Sequence, residues 1–149
     1  MFTAKLISTC LGIGYIQKGA GTVAALCCCI AWYFLQARGV AAWITGVVII
    51  LLLVAGTWSA NVVEKEWGKD SNKVVMDEWI GMSISLFLLP VNWGYMVAAF
   101  VLFRFFDIAK PLYIRKAESL PSGWGVMADD ILAGIYSNIV LQIAVITGF

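Results

Sequence analysis

VAAWITGVVIILLLVAGTWSA, residues Val40 to Ala60, contains no charged side chain. At about 1.5 Å per residue such a run crosses the roughly 30 Å hydrocarbon core of a bilayer as a helix. The rest of the chain repeats the pattern. Uncharged runs occupy 19–37, 39–63, 79–103 and 131–149, and the hydrophobic fraction is 62% against 13% charged residues. Soluble domains are nearer half apolar and a quarter charged, so the sequence reads as an integral membrane protein. The expected fold is all-α: a polytopic membrane helix bundle of about four to five membrane helices plus a short N-terminal interfacial helix, forming one domain over 1–149.

The expected spans run from about Thr22 to Gln36, Val40 to Ala60, Asn72 to Leu89, Gly94 to Ala109 and Ala128 to Ile146. Pro90-Val91-Asn92 reads as a turn, and 111–127 as a polar connection. MFTAKLISTCLGIGYI, at the N-terminus, lacks a convincing small-x-small cleavage site and reads as retained. Cys10, Cys27, Cys28 and Cys29 have no CxxC spacing and read as small buried hydrophobes. A net charge of +1 without blocks of like charge gives no nucleic-acid platform.

Placing the N-terminus inside puts Lys5, Lys18, Lys65, Lys69, Lys73, Arg104, Lys110, Arg115 and Lys116 on the cytoplasmic face. Only Arg38 is then left outside. The same threading gathers the acidic residues on that face. Acidic side chains do not set topology, so their convergence needs a separate cause. Asp77-Glu78, Asp107 and Asp129-Asp130 meet there from distant segments, and ionisable groups at membrane-helix ends suggest function. Clustered carboxylates raise one another's pKa unless a cation neutralises them, and Mg²⁺ is the hard, oxygen-seeking ion that fits. Simpler roles stand beside this one. Asp129-Asp130 suits a helix N-cap, Arg104 and Asp107 suit an i,i+3 pair, and Glu64, Lys65, Glu66 and Lys69 suit a solvated face.

GIGYIQKGAGT, Gly12 to Thr22, supplies an anion cradle: glycines, Lys18, and a helix start at Gly21-Thr22 with Thr22 as N-cap. Beside a metal site this suggests phosphoryl chemistry on a lipid head group. The absence of histidine excludes histidine-dependent phosphatases and Ser-His-Asp hydrolases. No cysteine has an arginine six residues on, and no aspartate has another two residues on, which removes the cysteine and aspartyl-phosphate phosphatases. Metal-assisted attack by water remains. A cation transporter or binding protein is the competing class, although transporters place their charges near the bilayer midplane. A structural membrane subunit is the third.

The landmarks GIGYIQKGAGT, GKDSNKVVMDEWIGM, FRFFDIAKPLYIRKAE and GWGVMADDILAG together resemble the bacterial phosphatidylglycerophosphatase A family over nearly the whole chain. The resemblance implies Mg²⁺-dependent removal of the terminal phosphate of phosphatidylglycerol phosphate, a phospholipid substrate, at the cytoplasmic face of the bacterial inner membrane. It carries acidic motif positions onto Asp70, Asp77, Glu78, Asp107, Asp129 and Asp130, and basic ones onto Arg104 and Lys110. On that basis Asp77, Glu78 and Asp130 are the expected catalytic and metal-binding groups, with Asp107 and Asp129 close by. Lys18, Gly21, Thr22, Arg104 and Lys110 are expected to hold phosphate or orient carboxylates. Gly81 and Gly134 would let helices approach closely. The opening loop departs from the family's G-x-G-x-x-P-x-A-P-G-T-x-G-S in having Gln17 and Ala20 for the prolines and Ala24-Ala25 for Gly-Ser.

Overall fold

In the computed structural model, which describes residues 1–149, seven helices and no strand follow one another. They are α1 (Phe2–Ser8), α2 (Ala20–Ala37), α3 (Ala42–Trp67), α4 (Met76–Leu86), α5 (Trp93–Ala109), α6 (Ile114–Ala117) and α7 (Ser122–Ile146), with a 3₁₀ turn at Ile13–Tyr15 between α1 and α2. The all-α expectation therefore holds, with α1 as the short N-terminal helix. By length and composition α2, α3 and α7 can cross a membrane. Their outward faces are apolar, with Ile50, Leu51 and Val54 of α3 and Ile139, Val140 and Ile143 of α7 exposed as lipid contacts would be.

The third expected span comes out differently. α4 has 11 residues, against the expected run from Asn72 to Leu89, whereas α5, with 17, keeps the expected bounds to within one residue. At 1.5 Å per residue α4 is only about 16 Å long and stops partway through a bilayer. Such an ending leaves carbonyl groups without intrahelical partners, which hydrocarbon does not tolerate. α7 supplies the donors: Asn138 Nδ2 donates to the carbonyls of Ser85 (3.1 Å) and Phe87 (2.7 Å), and Gln142 Nε2 donates to that of Phe87 (3.3 Å). The hairpin of α4 and α5 thus enters from the charged end, turns at Leu88–Asn92 and returns. Asn92 caps α5 by accepting from the Gly94 N–H at 2.7 Å.

α4 is the buried centre of the bundle. Met76, Asp77, Ile80, Gly81, Met82, Ser83, Ser85 and Leu86 are all buried, and α2, α3, α5 and α7 pack around them. The core divides into two apolar clusters, one around Val63, Ile80 and Met127 and one around Met82, Phe103 and Leu141. All four cysteines are free, and burial pushes the Cys10 thiol up to about 12. The start of α2, the end of α3, the start of α4, the end of α5 and the start of α7 lie at one end of the bundle, and that end holds the acidic residues.

Candidate active site

The site is built where α4 crosses α7. A Cβ on Gly134 would overlap the Gly81 carbonyl, and one on Gly81 would lie 2.6 Å from the Asp130 carbonyl oxygen and from the Phe103 ring. Two glycines facing each other let the backbones approach as in small-residue membrane interfaces. This crossing sets Asp77 and Glu78, in the first turn of α4, against Asp129 and Asp130. The N-cap reading of Asp129-Asp130 fails, because α7 begins at Ser122 and both residues lie about two turns inside it. The expected polar connection is shorter for the same reason. Its last residues are helical, and the Gly123 N–H is held by Asn61 Oδ1 at 2.6 Å.

Five carboxylates form two groups that share one member. Ligand atoms of Asp77, Glu78 and Asp130 lie within 4.8 Å of one another, and so do those of Asp107, Asp129 and Asp130. At an effective dielectric constant of about 20, two like charges at that separation repel by roughly 3 kcal/mol. Three such pairs approach the whole stability of a typical domain, about 5–15 kcal/mol, so neither group stays fully ionised without positive charge.

The second group has its own cations. Arg104 Nη1 donates to Asp107 Oδ2 at 2.5 Å, the i,i+3 pair expected from sequence. Lys110 Nζ donates to Asp129 Oδ2 at 2.9 Å and also to Glu118. Lys110 reaches both because it caps α5 in the left-handed conformation (φ 48°), just before Pro111 ends the helix. Burial alone would lower the Lys110 pKa, but Glu118 and Asp129 together raise it above the ordinary lysine value.

In the first group Asp77 Oδ1, Glu78 Oε2 and Asp130 Oδ1 are buried without a hydrogen-bond partner. Burial, then the charges of Glu78 and Asp130, pushes Asp77 well above the usual carboxylate range, and burial raises Glu78 as well. Orphaned buried carboxylate oxygens are costly unless something ligates them. Three of them on one group of residues with ligand atoms within 4.8 Å suit a hard divalent cation.

Beside this group lies a polar cavity of about 250 Å³. Its walls include Asp77 and Glu78 of α4, Arg104 of α5, Gly21 and Thr22 of α2, and Gln17, Asp70 and Asn72 from the loops. α2 starts at Ala20 with Gly19 (φ 74°) as N-cap, so Thr22 is not the cap but lies in the first turn. The N–H groups of that turn have no intrahelical acceptor, which makes it an anion-binding end. Gly21 packs directly on the Glu78 carboxylate, and a Cβ there would overlap Oε1. Lys18 is exposed beside the cavity without lining it, and Lys110 faces Glu118 and Asp129 instead. Sequence reasoning missed Glu118 as the second partner of Lys110. It also missed Gln17 and Asn72 as cavity walls and Asn138 and Gln142 as donors to α4; polar residues within an apolar run were the only available signal for the last two.

A family model described as phosphatidylglycerophosphatase A matches residues 6–145. Among curated proteins, a Bacteroides thetaiotaomicron protein named putative phosphatidylinositol-3-phosphatase is 44% identical, the match covering 96% of this chain and 94% of that protein. Proteins named phosphatidylglycerophosphatase A from Haemophilus influenzae and Escherichia coli are 36% and 34% identical. Those matches cover 91% and 89% of this chain and 85% and 77% of theirs. No solved structure is significantly similar. Matched over nearly its whole length, and with the acidic motif positions gathered at one end of the bundle, the chain belongs to the phosphatidylglycerophosphatase A family and is a phosphatase, a phosphoric monoester hydrolase.

Proposed function

We propose that this phosphatase hydrolyses phosphatidylglycerol phosphate to phosphatidylglycerol and inorganic phosphate, using one Mg²⁺ held by Asp77, Glu78 and Asp130, at the cytoplasmic face of a bacterial inner membrane. The observation that carries the proposal is the set of three buried, unpartnered carboxylate oxygens beside a polar cavity whose wall includes Arg104 and the start of α2. Two relatives named for this activity support the choice of substrate. The positive-inside asymmetry supports the choice of face.

Bound by those carboxylates, Mg²⁺ would supply Lewis acidity toward a phosphate oxygen and toward an attacking water. The chain's own groups do the rest. Arg104, fixed on one side by Asp107, has guanidinium N–H groups left to donate to the phosphate from the cavity wall. The free N–H groups of the first turn of α2 offer a second donor set. Glu78 lines the cavity, and the carboxylate oxygen that the metal leaves free would take the proton of the attacking water. Lys110 holds Asp129 in place and touches no substrate.

The test is phosphate release by the purified protein from phosphatidylglycerol phosphate and from phosphatidylinositol 3-phosphate, with Mg²⁺ and with chelator. Release from the first, abolished by chelator and by Asp130→Asn or Glu78→Gln, is expected. Release only from the inositol lipid would move the substrate to that of the Bacteroides relative's name. Release unaffected by chelator would remove the metal.

A further inference from the structure

One face of α2 and one face of α5 form a seam leading down from the cavity. Thr22 of α2 and Arg104 of α5 line the cavity itself. Below them Leu26, Cys29 and Ile30 of α2 and Trp93, Met96, Val97 and Phe100 of α5 enclose an apolar groove of about 110 Å³. The positions place the two on the same helix faces. Thr22, Leu26, Cys29, Ile30 and Tyr33 fall at i, i+4, i+7, i+8 and i+11, which is one helix face, and Arg104, Phe100, Val97, Met96 and Trp93 repeat the spacing in the opposite direction. Two antiparallel helices therefore carry the same ladder from the cavity to a floor. There Tyr33 and Trp93 stack with ring centroids 4.6 Å apart. From Thr22 to Tyr33 the rise is about 16 Å. Leu26, Ile30, Val97 and Trp93 are each about half exposed, so the groove opens sideways toward lipid.

We infer that this α2/α5 groove seats one acyl chain of the phospholipid substrate while its phosphorylated head group occupies the polar cavity. The inference rests on the lipid-phosphatase reading and adds where the lipid lies. What distinguishes this groove from the rest of the apolar surface is that its nearest wall residues, Leu26 and Phe100, follow one helical turn below Thr22 and Arg104 of the cavity wall, on the same faces of α2 and α5. The head group and the first part of a chain are bound by the same two helices, so the substrate reaches the site laterally from the leaflet.

The experiment uses the full chain in phosphatidylcholine vesicles with diacyl phosphatidylglycerol phosphate and with its deacylated head group. Leu26→Trp and Val97→Trp fill the groove from exposed positions, and Ile50→Trp on the lipid face of α3 is the control. Both groove variants should raise KM for the diacyl substrate about tenfold, the loss of roughly two buried methylenes. They should leave kcat and all kinetics on the deacylated head group unchanged, and Ile50→Trp should change neither substrate. Equal effects on both substrates, or none on the diacyl form, would overturn the inference. A parent that releases phosphate from neither substrate would instead overturn the proposed function. The groove is then read separately by photo-crosslinking phosphatidylglycerol phosphate with a photoreactive acyl chain. Adducts concentrated on α2 and α5 support it, while adducts spread equally over α3 and α7 mean bulk lipid only and overturn it.

Discussion

Asp77 with Glu78 and Asp107 with Asp129 are two halves of one acidic cluster, joined by Asp130, and they are neutralised in opposite ways. The Asp107–Asp129 half is closed by Arg104 and Lys110, side chains of the same protein. The Asp77–Glu78 half faces the cavity with buried oxygens that nothing in the chain pairs. The number of negative charges is alike, and the difference lies in where the positive charge comes from. On the reading proposed above, the closed half is held in place by its own cations, with Arg104 also reaching the cavity, and the open half holds an exchangeable cation.

Substitutions in the open half should have the largest effect. Asp130→Asn and Glu78→Gln each remove a ligand charge and should lower kcat by about 10³-fold, the upper range for a group stabilising transition-state charge. Arg104→Gln removes a phosphate donor and exposes Asp107 unpaired, so a fall of about 10²-fold is expected in kcat/KM. In the closed half, Lys110→Met should cost only about tenfold in activity, because its role is to hold Asp129 in position; it should also lower the unfolding midpoint by leaving a buried carboxylate unpaired. Losses as large for Lys110→Met as for Glu78→Gln would erase the distinction between the halves.

The smallest effect is on stability against pH. With chelator present, Asp77 in the folded chain keeps its proton at a pH where the unfolded chain has lost it, since its pKa is raised well above the ordinary value of 3.8. The folded state then binds more protons, and stability falls as pH rises from about 4 toward the raised value. Excess Mg²⁺ should flatten this slope by favouring the ionised form. A slope unchanged by Mg²⁺ would mean that Asp77 does not meet the ion.

Much of this contrast was legible in the sequence, but not its division. The long uncharged runs announced α2, α3 and α7, because length and hydropathy alone decide whether a helix can span. The convergence of Asp77-Glu78, Asp107 and Asp129-Asp130 followed from sidedness, and Gly81 with Gly134 marked the crossing that brings them together. α4 was misjudged in length, since its end at Leu86 is stabilised by Asn138 and Gln142 from a helix more than fifty residues later. The split of the acids was hidden for a similar reason. Lys110 meets Glu118 and Asp129 through its own left-handed turn, and no spacing rule shows which carboxylates a lysine will reach.

Calorimetric titration of the detergent-solubilised protein with Mg²⁺, comparing the parent with Glu78→Gln and Lys110→Met, tests the distinction most directly. The expected result is one site in the parent, lost in Glu78→Gln and retained in Lys110→Met. Undiminished binding in Glu78→Gln, or a parent that binds no Mg²⁺, would contradict it.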